Sequence, residues 1–450
     1  MASAAESPSE AAGSGRRDDH HQQPRTARKR PLRHSERVEL GLLAMPTFAL
    51  ALAITIVSTQ LGEVTRRYTH QTTVVGAIIG AEGVMALWVP LIFAPWSDTL
   101  RTRIGGRIPF VLAGGLPAAI VLALIGFAHG LGLVALTAAL FFFFYFIAYE
   151  PYRAMYPDMM PAEVGGRAQS AQAVARGLGT GCALLGGGLL LSVARPLPFL
   201  VGAVVMIGAL GGFVLLILRQ GVPRQDQRRP EGPMQVARRL PRLVKQHQAL
   251  RAYFFANALW EMTLAALKAF VLLYMTVGLG YGLGMASLII GVVAAVILVG
   301  AAGSGKLADR FGRIRVVTIA LVAYGSGYLV PIVTTSRIAI GASIPLIALG
   351  GGTVMTMAYA LLMPLMPKDE HGALTGFYSL SRGVGIVLGP TLAGAIIWLT
   401  RDGIFKSTGG FQAMWIVCAA ATFGSLFFLR RMAMAAEDRR NLAADDSDHA

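Results

Sequence analysis

Charge is scarce in this chain. Asp, Glu, Lys and Arg together make up 14% of its 450 residues, against roughly a quarter in globular proteins, which excludes an ordinary soluble domain of this size. Cysteine is nearly absent: Cys182 and Cys418 both fall within apolar runs, so neither a disulfide framework nor a thiolate metal site is expected. The histidines His20, His21, His34, His70, His129, His247, His371 and His449 lie outside the apolar runs or at their margins, and no His-Glu-x-x-His spacing occurs. With no nucleophile–base pair or metal ligand set in those runs, an enzyme is not expected, nor is any cofactor. A Gly-x4-Gly-Lys-Ser/Thr loop is missing, which excludes a P-loop pump. Ring-forming or re-entrant filter sequences of a channel are missing too.

What is abundant is apolar surface, with 54% of residues hydrophobic. Runs long enough to span a membrane, about 20 residues each, occur at 39–60, 74–95, 109–128, 131–151, 169–193 and 197–218. Six more follow at 250–279, 284–304, 315–335, 338–365, 373–400 and 411–430. The expected fold is therefore an all-α membrane protein of twelve transmembrane helices in two six-helix halves. Residues 1–37 read as a disordered basic tail, 38–218 as the first half, 219–249 as a basic linker, 250–430 as the second half and 431–450 as a second tail. No cleavable leader is expected.

The net charge of +16 does not imply a nucleic-acid partner, because the cations punctuate apolar runs and no RNP, zinc-finger or helix-turn-helix pattern accompanies them. Sorting loops alternately onto two sides places about 30 Lys and Arg on one side. Only Arg66, Arg67, Arg195, Arg337, Arg401 and Lys406 fall on the other. Both termini are expected to be cytoplasmic, in a multi-pass plasma (inner) membrane protein surrounded by lipid.

The two halves resemble one another. Gly106-Arg107-Ile108 superposes on Gly312-Arg313-Ile314 at an offset of 206 residues, and Ala175-Arg176-Gly177 superposes on Ser381-Arg382-Gly383 at the same offset. Tyr152 and Pro157 fall on Tyr359 and Pro364 one residue later. A parallel repeat of two six-span halves is the plan of the major facilitator fold. The loop at 305–313, Gly-Lys-Leu-Ala-Asp-Arg-Phe-Gly-Arg, resembles the signature loop of that superfamily. The loop at 97–110, which opens Ser-Asp and ends Arg-Ile-Pro-Phe, and the segment Pro151-Tyr152-Arg153-Ala154 through Asp158 are more particular. They resemble the sucrose/proton symporters and the glycoside–pentoside–hexuronide cation symporters. Ala94 stands where the signature loop has its first glycine, Phe142 where the sucrose carriers have a carboxylate, and His70 where they have a substrate-linked histidine. A solvated loop histidine is the plainer reading of His70.

The resemblance implies alternating access by a monomer, moving a small-molecule substrate with a proton or sodium as co-ion. In the signature loops, Asp98 with Arg107 and Asp309 with Arg313 can meet across short turns. A charge lock there, with Arg153, Asp158 and Arg310 in the same layer, would gate the cytoplasmic side; otherwise these residues only fix topology. Within the spans, Glu82, Arg176, Glu261, Lys268 and Arg382 each cost several kcal/mol unless paired or facing water. At about 1.5 Å per residue, Arg176, Arg382 and Glu261 lie roughly 11, 14 and 17 Å from the charged side, near the middle of a core of about 30 Å. Asn257, Glu261 and Lys268 share one helical face. They form the expected coupling site with the two arginines, although a salt bridge that merely locks the bundle fits the arginines too. Glu82 and Lys268, further out, are expected to pair. The substrate-facing spans are poor in Asn, Gln and aromatics but contain Met262, Met355, Met357, Met363 and Met366. Sugar uptake, export of an amphipathic or lipid-like compound, and a receptor or scaffold on the same fold all remain open.

Overall fold

A computed structural model describes residues 34–159, 165–220, 247–362, 365 and 374–448. Among them run twelve long helices. In the first half these are α1 (His34–Arg66), α2 (Thr72–Thr99), α3 (Ile108–Phe127), α4 (Leu131–Met159), α5 (Gly165–Val193) and α6 (Leu197–Gln220). In the second they are α7 (Gln248–Leu273), α8 (Leu283–Phe311), α9 (Arg313–Val333), α10 (Arg337–Leu362), α11 (Leu374–Thr400) and α12 (Met414–Asp448). All twelve are long and apolar enough to cross a membrane.

Local chemistry sets the helix ends. Pro109 sits in the first turn of α3, where its missing N–H costs nothing. Gly312 closes α8 and opens α9 with φ +84°, a conformation that other residues rarely adopt. α7 ends in a π-helical turn at Tyr274–Gly278. Several helices run past the expected spans, α4 to Met159 and α8 to Phe311 among them, and two such ends have a local reason. α1 continues past residue 60 because its polar residues are satisfied locally: Thr65 donates to the Leu61 carbonyl, and Glu63 pairs with Arg66 at 3.2 Å. The segment after Arg431, expected to be a tail, continues α12 to Asp448, its Ala, Glu, Arg and Leu favouring helix. Residues 1–33 and the linker core at 221–246 lie outside the described residues.

The repeat visible in the sequence recurs as packing. α1 packs on α5 and α6, as α7 does on α11 and α12. α3 packs on α4 and α6, as α9 does on α10 and α12, and α2 meets α4 as α8 meets α10. Between the halves, α2 lies along α11, α5 along α8, and α1 along α7. The first two seams are tightest toward the end away from the basic loops. There a Cβ on Gly76 would lie 2.1 Å from the Pro390 carbonyl oxygen, and one on Gly188 would lie 1.7 Å from the Ser287 hydroxyl. Gly394 meets the Thr72 carbonyl in the same layer, and Thr72 donates to the Gly394 carbonyl at 2.7 Å. Such contacts let helix backbones approach without intervening side chains.

At that same end each half is stapled by an arginine. Arg195 donates to the Tyr68 hydroxyl at 2.6 Å and to the Ala128 carbonyl, joining three loops. Its hydrogen bond holds the Tyr68 phenol below its ordinary pKa. In the second half, Arg337 donates to the Leu279 carbonyl at 2.8 Å with its guanidinium over the Tyr281 ring.

Candidate functional site

α7 is the central helix of the second half, packed between α11 and α12 and touching α1 across the halves. Its polar face therefore looks into the space between halves. There a narrow cleft is lined by Ser58, Glu82, Glu261, Lys268, Arg382 and apolar residues such as Ile79 and Pro390. Ser58 and Glu82 come from the first half, the other three charged residues from the second. A second narrow cleft, lying within the second half, is lined by Asn257, Trp260, Leu264, Tyr324, Met355 and again Glu261. Glu261 thus borders both.

The Glu261 carboxylate lies 3.5 Å from the Arg382 Nε, with side-chain exposures of 12% and 32%. This proximity depends on Gly385, whose added Cβ would lie 2.3 Å from the Ala258 carbonyl oxygen and 2.8 Å from the Glu261 Cβ. One turn away, Asn257 Nδ2 donates to Ser381 Oγ at 2.8 Å, while its buried Oδ1 has no partner among the described residues. Trp260 Nε1 donates to Ser425 Oγ, which anchors the indole beside the second cleft. Glu82 is buried and accepts a 2.7 Å hydrogen bond from Ser58 Oγ. Lys268 lines the first cleft with no ion pair or hydrogen bond among the described residues.

Of the charges expected at one level, Glu261 and Arg382 are therefore brought together and Arg176 is not. Arg176 is exposed on α5. Arg176, Arg382 and Arg153 all lie within electrostatic range of the buried Tyr149. Tyr149 stacks on Tyr145 with centroids 5.3 Å apart. The expected Glu82–Lys268 ion pair is not formed either, although both side chains line one cleft. They project from helices of different halves, so their separation is set by how those halves sit.

On the basic side only some of the expected partners fall within the described residues. Asp309 and Arg310 are exposed, Arg310 lying over the Phe311 ring. No ion pair joins Asp309 to Arg313 among the described residues. Instead Arg313 donates to the Ala360 carbonyl at 3.1 Å, and Arg107 donates to the Ala154 carbonyl. Each bond spans 47 residues, so the repeat carries the same clamp twice. Ala360 lies in the last turn of α10, where carbonyls lack intrahelical partners and attract cations, whereas Ala154 lies further inside α4. The side chains of Asp98 and Asp158 lie outside the described residues. His70 is exposed and Phe142 fully buried.

Four residues escaped the sequence reading. Ser58 was hidden in an apolar run, although Thr55, Ser58 and Thr59 recur at helical spacing there. Glu63 was placed in a loop because the first run was ended at residue 60. Tyr145 and Tyr149 looked like part of the aromatic core.

Comparison with known proteins gives the family and the fold. The profile of the Major Facilitator Superfamily matches residues 42–307 and 254–446, and the chain belongs to that family. A Bacillus subtilis protein named Multidrug resistance protein 3 is 30% identical over 131 residues, 28% of this chain and 23% of that protein. The match thus spans less than a quarter of that relative's length. Among solved structures, a bacterial homolog of the human lysosomal transporter Spinster, in an inward-facing and occupied conformation, aligns with a TM-score of 0.68 and 14% identity. That alignment covers 90% of this chain and 96% of that one. A point mutant of the nucleoside transporter NupG aligns with a TM-score of 0.72 and 13% identity, covering 88% and 99%. At such identities the likeness shows the shared fold.

Proposed function

We propose that this superfamily member is a secondary transporter that moves a small solute by alternating access, with the Glu261–Arg382 pair as its proton-coupling element. The observation that carries this reading is a carboxylate–guanidinium pair at 3.5 Å, bordering a cleft lined from both halves. An ion pair away from bulk water is strongly destabilised when one partner is neutralised, so a proton arriving on Glu261 frees Arg382 and alters the balance between conformations. Rocking of the halves changes the surroundings of the pair and can release the proton on the other side. Sodium is the alternative co-ion.

The basic loops are taken as cytoplasmic, in a plasma-membrane monomer with both termini inside. On that orientation the tight seams at Gly76 and Gly188 seal the external side. The cytoplasmic gate residues Asp98, Arg153, Asp158, Asp309 and Arg310 should then be apart. The exposed, unpaired Asp309 fits this state. They come together when the seal changes sides.

For the solute, the lining favours an amphipathic compound, hence an exporter. Leu264, Ile386, Pro390, Val354 and Met355 offer apolar surface, and the Trp260 N–H is already committed to Ser425. The partial relative's name, Multidrug resistance protein 3, points the same way. A sugar or glycoside is the second reading, favoured by the loop motifs at 97–110 and 151–158.

The test uses proteoliposomes holding the full chain under an imposed pH gradient, screened with amphipathic and glycosidic solutes. Solute movement driven by the gradient and collapsed by a protonophore is expected. Movement indifferent to both pH and sodium gradients would refute coupled transport.

A further inference from the structure

The first cleft holds four charged groups, and only two of them form an ion pair. With Glu261 engaged by Arg382 at 3.5 Å, Glu82, within electrostatic reach of that arginine but not in contact with it, and Lys268 hold no ion pair among the described residues. Glu82 is 5% exposed, and the partner the structure gives it is a neutral hydroxyl, Ser58 Oγ at 2.7 Å. Lys268, half-buried, has no polar partner among the described residues. A buried carboxylate with one hydrogen bond and an unaccompanied ammonium are both costly at membrane depth. Their positions are opposed as well as their charges. Glu82 stands on α2 in the first half and Lys268 on α7 in the second, and they face the same space from either side.

We propose that the cleft recognises the head group of a zwitterionic solute, its cationic end on Glu82 and its anionic end on Lys268. This inference rests on the transport reading of the same cleft and names the substrate class for it. A cation alone satisfies Glu82 and leaves Lys268 bare; an anion alone does the reverse. One molecule carrying both charges compensates both groups and adds none to the cleft. Because its two ends are held by different halves, occupancy ties the halves together across the space that must close around the solute. Ile79, Leu264, Ile386 and Pro390 line the cleft beside these charges, the apolar side against which a short chain of the solute would lie when the halves part.

The test is calorimetric binding to the full chain in lipid nanodiscs with three probes of equal chain length: hexyl sulfobetaine, hexyltrimethylammonium and hexylsulfonate. The wild type should bind the sulfobetaine about tenfold tighter than either singly charged probe, the scale of one additional charge-assisted contact. Lys268→Gln should reduce sulfobetaine binding to that of the ammonium probe, and Glu82→Gln to that of the sulfonate. Should either single variant fold poorly, the double exchange Glu82→Lys with Lys268→Glu retains both charges and should restore the preference. Equal binding of the three probes, no binding of any, or a preference that survives both single variants would overturn the proposal. Failure of the transport reading shows separately: a wild type that prefers the sulfobetaine but moves no solute under pH or sodium gradients refutes transport and leaves the head-group inference standing.

Discussion

Replacing Gly385 with alanine probes the site without removing a charge. The added Cβ would lie 2.3 Å from the Ala258 carbonyl oxygen, 2.8 Å from the Met262 nitrogen and 2.8 Å from the Glu261 Cβ. Ordinary contact begins near 3.4 Å, and two of these three atoms are backbone, so a rotamer change cannot relieve the overlap. α11 must move from α7 by roughly an ångström, at an overpacking cost of about 1–3 kcal/mol. The same displacement stretches the 3.5 Å Glu261–Arg382 contact past the range of an ion pair. Gly385→Ala should therefore lower the unfolding midpoint and weaken pH-driven transport together. Gly186→Ala on α5, where nothing lies within 4 Å of the new Cβ, is the control. It should leave transport intact and keep or raise stability, since alanine favours helix over glycine by about 0.5–1 kcal/mol. A Gly385→Ala protein with wild-type midpoint and wild-type coupling would refute the close approach on which the site depends.

Other outcomes follow from the same coordinates. Arg107→Ala and Arg313→Ala should each destabilise their own half by about 1–3 kcal/mol in chemical unfolding. The effect should be larger for Arg107, whose bond is the less exposed of the two. Cysteines at His70, Gly130 or Lys406 should label from outside intact cells, and ones at Gln227 or Ala443 should not; reversed labelling would invert the orientation. Asp98→Asn and Asp309→Asn should each increase the cytoplasmic accessibility of cysteines lining the first cleft, and unchanged accessibility in both would count against a gate. Arg195→Ala, by removing the donor to Tyr68 and the Ala128 carbonyl, should speed amide exchange in the loops it joins.

The apolar runs made the twelve helices legible, because a span of about 20 residues leaves few alternatives in length or type. The repeat was legible through Arg107 and Arg313, but the bond each makes to a carbonyl was not. A loop arginine beside a loop aspartate reads as an ion pair, and only the folded chain shows that a carbonyl near the far helix end lies within reach of Arg313. Glu261 and Arg382 stood out because charge within an apolar run is costly. Their pairing, and the exclusion of Arg176 from it, depends on helix rotation, which Gly385 helps to set and no periodicity reveals. Glu82 and Lys268 were matched by charge and depth, but they sit on opposite halves, whose separation belongs to the conformation and not to the sequence. Glu63 was missed because a carboxylate near the end of an apolar run looks like the end of the helix.

The central claim is that Glu261 carries the coupled proton, and transport by Glu261→Gln tests it most directly. Wild-type and variant proteoliposomes are compared in two modes: accumulation of a solute driven by a pH gradient, and exchange of labelled for unlabelled solute without one. Glutamine keeps the shape and a hydrogen-bonding oxygen beside Arg382 but cannot carry a proton. Loss of gradient-driven accumulation with exchange preserved is the predicted result. A variant that still concentrates solute against its gradient in response to pH would contradict the account.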